Sequence, residues 1–165
     1  MFKTKLTRLN SIGLIVLILL TTCCSLKKNT SKKTNPIEFK TLYKEFYCAQ
    51  TQKKNYVIKN NKELEDFWKQ TFSKEFPIRD LPRIDFSNQM MIACFSGEFS
   101  SGGYSIEIES ISKHKNTLTV NITETNPGKN CGVTSAFSQP FHIISLNLFE
   151  GDIDYINTSI STFCD

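Results

Sequence analysis

The stretch from Ile84 to Ile111 constrains the fold of this chain more than any other part of the sequence. Residues 90–95, MMIACF, form an uninterrupted apolar run, which is typical of a central strand buried on both faces. Residues 104–109 instead alternate apolar and polar side chains, the period-two pattern of a half-buried strand. Between them, SSGG at residues 100–103 favours a chain reversal, because glycine takes a positive φ at little steric cost. The stretch therefore predicts a β-hairpin.

One amphipathic helix is predicted after Asn60 or Asn61, either of which can accept a hydrogen bond as the N-cap. Pro77 disfavours a helical residue before it, so the helix should end between residues 73 and 76. The apolar stripe of this helix consists of Leu64, Phe67, Trp68 and Phe72. On such a stripe Trp68 is interpreted as a core residue rather than as a ring that stacks on a ligand.

Further strands are predicted at residues 56–58, 118–122 and 153–156, together with one strand that begins at residues 133–137 and resumes after Pro140 as residues 141–148. One helix after the first of about six strands predicts an α+β fold that is mainly antiparallel β. The expected domain is residues 41–165, and a chain of that length can bury well over half of its unfolded surface and fold alone.

The N-terminus has the form of a signal peptide. Lys3, Lys5 and Arg8 precede an apolar stretch at residues 12–20, which is shorter than the roughly 20 residues that span a bilayer. The following Leu20-Thr-Thr-Cys23 resembles a bacterial lipobox, which predicts a signal at residues 1–22 and lipidation of Cys23. The adjacent Cys24 is the alternative lipidation site. A second alternative is that the protein is secreted without a lipid.

Residues 23–40 follow the predicted cleavage and contain five lysines, few large apolar side chains and one proline. Such a composition predicts a flexible tether between the lipid and the domain. The expected location is therefore the bacterial cell envelope, lipid-anchored at the outer membrane and facing the periplasm or the surface.

The basic charge of the chain belongs to this N-terminal region. Of the 20 basic residues eight precede Thr41, whereas only one of the 16 acidic residues does, so the domain itself carries a net charge of about −3. Nucleic-acid binding is not expected, because it requires a basic patch on the domain.

Four cysteines fall in the expected domain, and an exported chain favours their pairing. Cys94 lies within the apolar run and is interpreted as a reduced core residue. A Cys131–Cys164 disulfide would tie the C-terminal tail to the domain, and Cys48–Cys164 remains the alternative. The domain has no closely spaced cysteine pair, and neither of the two histidines is at ligand spacing from a cysteine, so no metal or other cofactor is expected.

No catalytic signature is present in the sequence: it has no nucleophile elbow, phosphate-binding loop or H-E-x-x-H motif. Glu107 and Glu109 would share one solvated face of a strand, Asp85 is expected to cap a turn, and His142 is interpreted as structural. The remaining acids considered for acid–base work are Asp80 and Glu98. The sequence predicts a non-enzyme; a hydrolase built on Glu107 and Glu109 is the alternative.

Several sequence blocks follow one another in order: Asp85-Phe-Ser, a strand ending near Gly97, Ser101-Gly-Gly-Tyr104, Ser105-Ile-Glu-Ile, Glu124-Thr-Asn-Pro-Gly and Ser138-Gln-Pro-Phe-His142. These blocks resemble the C-terminal domain of PrcB-type proteins, and the resemblance runs over about residues 56–148. PrcB-type proteins are accessory subunits of a bacterial secreted protease complex, so the resemblance implies a non-catalytic protein that binds a protease or its complex.

Partner binding is predicted at Ser101, Gly102, Gly103 and Tyr104, because this turn offers accessible backbone and an aromatic anchor. The alternative is that the two glycines only make a tight turn and that Tyr104 lies in the core. A different alternative is a small-molecule or glycan pocket lined by Trp68, Phe95, Tyr104 and Phe141.

Overall fold

The domain consists of two four-stranded β-sheets and one α-helix in a computed structural model that describes residues 35–164. The predicted signal peptide, the lipidation candidates Cys23 and Cys24, and the predicted tether up to residue 34 lie outside the described residues. Among residues 35–164, no helix has the length and apolar character needed to cross a membrane.

The strands are β1 (Asn35–Ile37), β2 (Phe39–Glu45), β3 (Lys54–Ile58), β4 (Gln89–Phe95), β5 (Ser105–His114), β6 (Thr117–Asn126), β7 (Phe141–Asn147) and β8 (Asp152–Ser161). The helix α1 (Asn61–Thr71) follows β3. Sheet I has the order β1-β5-β6-β8, and sheet II has the order β2-β7-β4-β3. Neighbouring strands are antiparallel except β6 and β8, which are parallel.

Sheet II is the middle of three layers, which explains the continuous apolar runs of its two central strands. One face of β4, with Met90, Ile92 and Cys94, packs with the inner residues of sheet I. The other face, with Met91 and Phe95, packs with the helix. Strand β7 is likewise buried over residues 141–146. The prediction that residues 90–95 form a strand buried on both faces is confirmed.

The helix begins as the sequence predicted. Asn60 is the N-cap, and its side-chain oxygen accepts a hydrogen bond from the Glu63 backbone N–H at 2.9 Å. Trp68 is buried against sheet II, and its indole N–H donates to the Arg79 carbonyl at 2.9 Å. The helix ends at Thr71, slightly before the predicted range, and Phe72, whose ring is buried, is its C-cap.

The predicted β-hairpin between residues 90–95 and 104–109 is wrong, because β4 and β5 lie in different sheets. Both edges of β4 are occupied, by β3 on one side and β7 on the other. The glycine-containing turn therefore carries the chain from sheet II to sheet I. The hairpin that does form joins β5 to β6 through Lys115, whose φ of 54° is left-handed.

The strand count and the helix position also differ from the prediction. Residues 35–164 form eight strands rather than about six, and the helix follows the third of these strands rather than the first. Strands β1 and β2 were not predicted. Strand β2 lies at the edge of sheet II, where the exposed Lys40 and Lys44 interrupt its apolar pattern. Of the residues assigned to the tether from their composition, 35–37 form β1 and 39–40 begin β2. Residues 133–137 form an exposed loop instead of a strand.

A disulfide joins Cys131 to Cys164, with a Cα–Cα distance of 5.2 Å. This is the first of the two pairings considered from the sequence. Cys48 and Cys94 are free and buried. Burial raises the pKa of the Cys48 thiol to about 11 and that of Cys94 to about 12, so both remain protonated at neutral pH.

Candidate functional site

The predicted docking turn lies in the wall of an open cleft of about 540 Å³. Three chain segments form most of it: the residues that directly follow β2, the turn before β5 and the exposed loop before β7. The lining residues are Phe46, Tyr47, Gly102, Gly103, Tyr104, Ser105, Thr125, Thr134, Ala136, Phe137, Ser138 and Thr162. We call this the aromatic cleft. None of its lining residues is charged, although 22% of the residues of the chain are.

Hydrogen bonds fix the turn to the loop that precedes β7. The Gly102 N–H donates to the Thr134 carbonyl at 3.0 Å, and the Ser138 hydroxyl donates to the Ser101 carbonyl at 2.7 Å. Phe99 and Ser138 exchange two backbone hydrogen bonds of 2.9 and 3.0 Å. These hydrogen bonds tie the turn to the loop along its length, which limits the conformational freedom that it has to lose on binding.

The two glycines are required by this close approach. A Cβ atom on Gly102 would overlap the Thr134 hydroxyl oxygen. Gly103 has a φ of +90°, and a Cβ there would lie 2.9 Å from a Val133 methyl carbon and 3.0 Å from Pro127 Cβ. The glycines therefore have a structural role, which leaves the side chains around them as the candidates for contact with a partner.

Tyr104 directly follows the turn and stacks on Phe99, with ring centroids 3.8 Å apart and planes 5° from parallel. It is half-buried and belongs to neither core cluster of the domain. The alternative that Tyr104 is a core residue is therefore wrong. Its ring packs on Phe99 at the wall of the cleft, where it can contact a ligand.

Three further aromatic residues of the cleft were not singled out from the sequence. Phe46, Tyr47 and Phe137 have exposed fractions of 56%, 51% and 65%. Large apolar side chains grouped at an exposed site are typical of interaction surfaces. The only signal in the sequence was the consecutive Phe46-Tyr47 pair in a polar segment, and nothing local indicated that the fold brings Phe137 beside it.

The predicted pocket of Trp68, Phe95, Tyr104 and Phe141 does not form. Trp68, Phe95 and Phe141 are buried between the helix and sheet II. The ring of Phe95 stacks on that of Phe141, and Trp68 and Phe141 both contact Phe72. Tyr104 lies apart from them in the aromatic cleft. These three rings fill the core because the helix covers that face of sheet II, so they cannot line a concave site.

Three of the five carboxylate candidates, Glu107, Glu98 and Asp85, have structural partners. Glu107 is exposed and pairs with Lys44, with 2.6 Å between their charged atoms. Glu98 accepts a hydrogen bond from the buried Gln139 amide at 2.8 Å. Asp85 accepts hydrogen bonds from Ser87 and Asn88, and these bonds lower the pKa of its carboxyl group. Asp85 therefore caps a turn, as predicted.

Glu109 is the remaining member of the predicted carboxylate pair. It is exposed and lies at the register shift between Ile108 and Ser110, where β5 and β6 lose their regular pairing. No group of His, Cys, Asp and Glu side chains in the described part of the chain is arranged to hold a metal ion.

His142 connects the two sheets. Its Nδ1 accepts a hydrogen bond from the Ile108 backbone N–H at 2.8 Å, and its Nε2 lies 2.9 Å from the Thr41 hydroxyl oxygen. Burial lowers the pKa of the imidazole to about 4, with a smaller contribution in the same direction from Lys44. A neutral ring with both nitrogens occupied is a structural histidine, as the sequence analysis interpreted it.

Arg79 was not singled out from the sequence, yet it organises the loop after the helix. Its guanidinium group donates to both carboxylate oxygens of Glu45 at 2.9 and 3.0 Å and also pairs with Glu75. It lies over the Phe72 ring, 4.2 Å from the centroid. The hydrogen bond with Glu75 raises the pKa of Arg79, which remains charged. Arg79 fixes this loop to the end of β2, immediately before Phe46 and Tyr47.

The aromatic cleft is thus the site where the predicted docking turn meets residues distant in sequence. No curated protein and no solved structure matches this chain. Residues 90–147, from β4 to the end of β7, match the family model described as PrcB C-terminal, which confirms the resemblance expected from the sequence.

Proposed function

We propose that this protein is a lipid-anchored, non-catalytic protein of the bacterial cell envelope that binds a partner protein through the aromatic cleft. A secreted protease or its complex is the partner that the PrcB resemblance implies. The observation that carries the proposal is that the segment matched by the PrcB C-terminal family supplies the turn, Tyr104 and Phe137, which make up much of an uncharged, aromatic cleft.

The composition of the cleft fits recognition of a polypeptide. Tyrosine and phenylalanine are among the residues that contribute most to protein interfaces when they are packed against a partner. The absence of charge in the lining means that no ion has to be desolvated without a partner when the cleft is covered. The hydrogen-bonded turn limits the conformational entropy lost on binding.

The test is affinity purification after crosslinking in intact cells, using a full-length double variant, Tyr47→Ser/Phe137→Ser. Both side chains are more than half exposed, so their replacement leaves the turn and the core unchanged. Phe76→Ser is the matched control, because Phe76 is fully exposed on another loop and does not line the cleft. We expect the partner to be recovered with the wild type and the control, and at least about tenfold less with the double variant.

A partner retained by the double variant would move the docking surface elsewhere. No partner recovered with any of the three proteins would remove the basis of the proposal. Glycine substitutions are unsuitable for this test, because a Cβ at Gly102 or Gly103 would disturb the turn itself.

Lipid anchoring is tested separately by metabolic labelling with radioactive palmitate. We expect Cys23→Ser to lose the label and Cys24→Ser to retain it, since the signal is proposed to be cut before Cys23. A mature N-terminus without lipid, or processing that is insensitive to globomycin, would contradict this part of the proposal.

A second candidate function is the binding of an uncharged small molecule or glycan in the same cleft. The lining favours it by combining aromatic rings with the hydroxyl groups of Thr125, Thr134 and Thr162. A thermal-shift screen with neutral glycans discriminates the two functions: stabilisation of the wild type that Tyr47→Ser/Phe137→Ser abolishes would favour the ligand.

A further inference from the structure

Three of the four sheet edges carry features that discourage pairing with another chain. Strand β1 is three residues long and contains Pro36. Strand β2 presents Lys40 and Lys44 and has a register shift between Thr41 and Tyr43. Strand β3 has five residues and begins with Lys54. Short length, lysine, proline and irregular register are the common means by which proteins protect a sheet edge.

The fourth edge, β8, has none of these features over most of its length. It pairs with β6 in continuous register over ten residues. Its segment 155–161, YINTSIS, contains no charged residue, proline or glycine. Ile156 and Ile160 remain 53% and 48% exposed. A long, regular and uncharged edge with exposed branched side chains favours the addition of another strand.

The backbone hydrogen bonds show which residues of β8 face the open edge. At one end the Asp152 N–H donates to the Asn116 carbonyl, and just past the other end the Thr162 N–H donates to the Asn126 carbonyl, at 3.0 and 2.9 Å. Even-numbered residues therefore direct their backbone groups toward β6. Because this direction alternates along a strand, the odd-numbered residues of β8 direct theirs to the open edge.

We propose that β8 pairs antiparallel with β8 of a second copy of this chain, about a twofold axis at Thr158. In this register Asn157 lies opposite Ser159 of the second copy, and their outward-facing backbone groups can exchange hydrogen bonds. Ile156 lies opposite Ile160 of the second copy, and the twofold axis generates an equivalent contact between Ile160 and Ile156 of the second copy. These even-numbered pairs are the non-hydrogen-bonded kind, in which opposite side chains are closest, with Cα atoms about 4.5 Å apart.

Two features favour a second copy over an unrelated strand. Ile156 and Ile160 are placed symmetrically about Thr158, so the same surface is complementary to itself, as a twofold interface requires. In the antiparallel arrangement Asp152 and Asp154 lie beyond Ser161, the last residue of the second copy's β8, so they face no charged residue of that strand. A parallel pair would instead bring these aspartates together, which like-charge repulsion disfavours.

The interface consists of one strand pair and two isoleucine contacts, so it is smaller than the interfaces of permanent dimers and is expected to be weak in dilute solution. Cysteine crosslinking of the full-length protein in its native membrane therefore suits it better than a measurement of mass in dilute solution. At the twofold axis, Thr158→Cys places two cysteines within disulfide range.

Thr123→Cys is the matched control. Thr123 is the register partner of Thr158 on β6, so it lies on the same face of sheet I but one strand further in. In the proposed dimer two Thr123 positions would be three strand spacings apart, about 14 Å, which is too far for a disulfide. The unsubstituted chain measures any background from its own cysteines, of which Cys48 and Cys94 are buried.

We expect a disulfide-linked dimer on a non-reducing gel for Thr158→Cys, and its loss in the Thr123→Cys control. Adding Ile156→Lys and Ile160→Lys to Thr158→Cys should abolish the dimer, because the facing lysines would repel. Equal dimer in Thr158→Cys and Thr123→Cys would indicate random collision and overturn the proposal, as would no dimer in either. A crosslinked product of Thr158→Cys with a different protein would also overturn it and identify a partner strand instead.

Discussion

His142 is the residue whose ionisation should matter most to the stability of this domain. It bonds to Ile108 in sheet I and to Thr41 in β2, and its ring is buried. Protonation of Nδ1 would replace an acceptor by a donor facing the Ile108 N–H, so the folded state favours the neutral ring. Burial of the ring, with a smaller contribution from Lys44, lowers its pKa from 6.5 to about 4.

The pH dependence follows from this shift. Between pH 6.5 and about 4 the unfolded chain binds a proton at His142 that the folded protein does not bind. The free energy of unfolding should therefore decrease as the pH falls through this window, by up to about 3 kcal/mol, and this contribution should be fully present above pH 6.5.

His142→Gln isolates that contribution, because an amide can still accept from Ile108 and donate to Thr41 without titrating. Urea unfolding of both proteins at several pH values should show that the wild type loses more stability than the variant below pH 6.5. If the difference between the two proteins stays constant with pH, His142 is not the titrating group.

Gly102 and Thr134 should be energetically coupled. Gly102→Ala introduces a Cβ that overlaps the Thr134 hydroxyl, with an expected loss of about 1 to 2 kcal/mol of stability. Thr134→Ala removes the hydroxyl but keeps the carbonyl that accepts from the Gly102 N–H, so the double variant should recover most of the loss.

Gly103→Ala is the comparison for this double-mutant cycle. It should lose at least as much stability because of its positive φ, and Thr134→Ala should not rescue it. Additive effects of Gly102→Ala and Thr134→Ala would contradict the contact. The thermal midpoint of each variant is the measurement.

At the scale of the elements, the N-cap of α1 can be tested with the neighbouring residue as the control. Asn60→Ala removes the acceptor of the Glu63 N–H and should lower the free energy of unfolding by about 1 kcal/mol. Asn61→Ala changes an exposed residue at the first helical position and should stay within about 0.5 kcal/mol of the wild type. Chemical denaturation measures both, and Asn60→Asp should restore the stability. Equal losses of stability from the two alanine substitutions would contradict the assignment of Asn60 as the N-cap.

The elements also show where sequence patterns were sufficient and where they were not. The helix and the buried strand β4 were predictable, because a helical apolar stripe and a continuous apolar run are local features. The pairing of β4 was not, since the turn residues indicate that the chain reverses but not which strand lies beside which. Strands β1 and β2 were missed because exposed edge positions tolerate lysine and proline.

For the molecule as a whole, the Cys131–Cys164 disulfide connects the loop after β6 to the C-terminal tail beyond β8. Its sequence separation of 33 residues predicts a contribution of about 3 to 4 kcal/mol in the chain-entropy model. Cys131→Ser/Cys164→Ser should therefore lower the free energy of unfolding by up to that amount, measured by urea denaturation.

Reductant provides the control for this prediction. It should destabilise the wild type to a similar extent and leave the double variant unchanged, because Cys48 and Cys94 form no disulfide. Reductant that destabilises the double variant as well would show that another bond is being broken.

The sequence by itself determined the β-rich class of this domain, its helix, its buried central strand and the position of the turn at residues 100–103, because each is encoded by neighbouring residues. The likeness to PrcB C-terminal domains was readable for the same reason. Only the tertiary structure decided the three layers, the division of β4 and β5 between two sheets and the open edge at β8. It also decided the aromatic cleft, since Phe46, Tyr104 and Phe137 come from distant segments that only packing brings together.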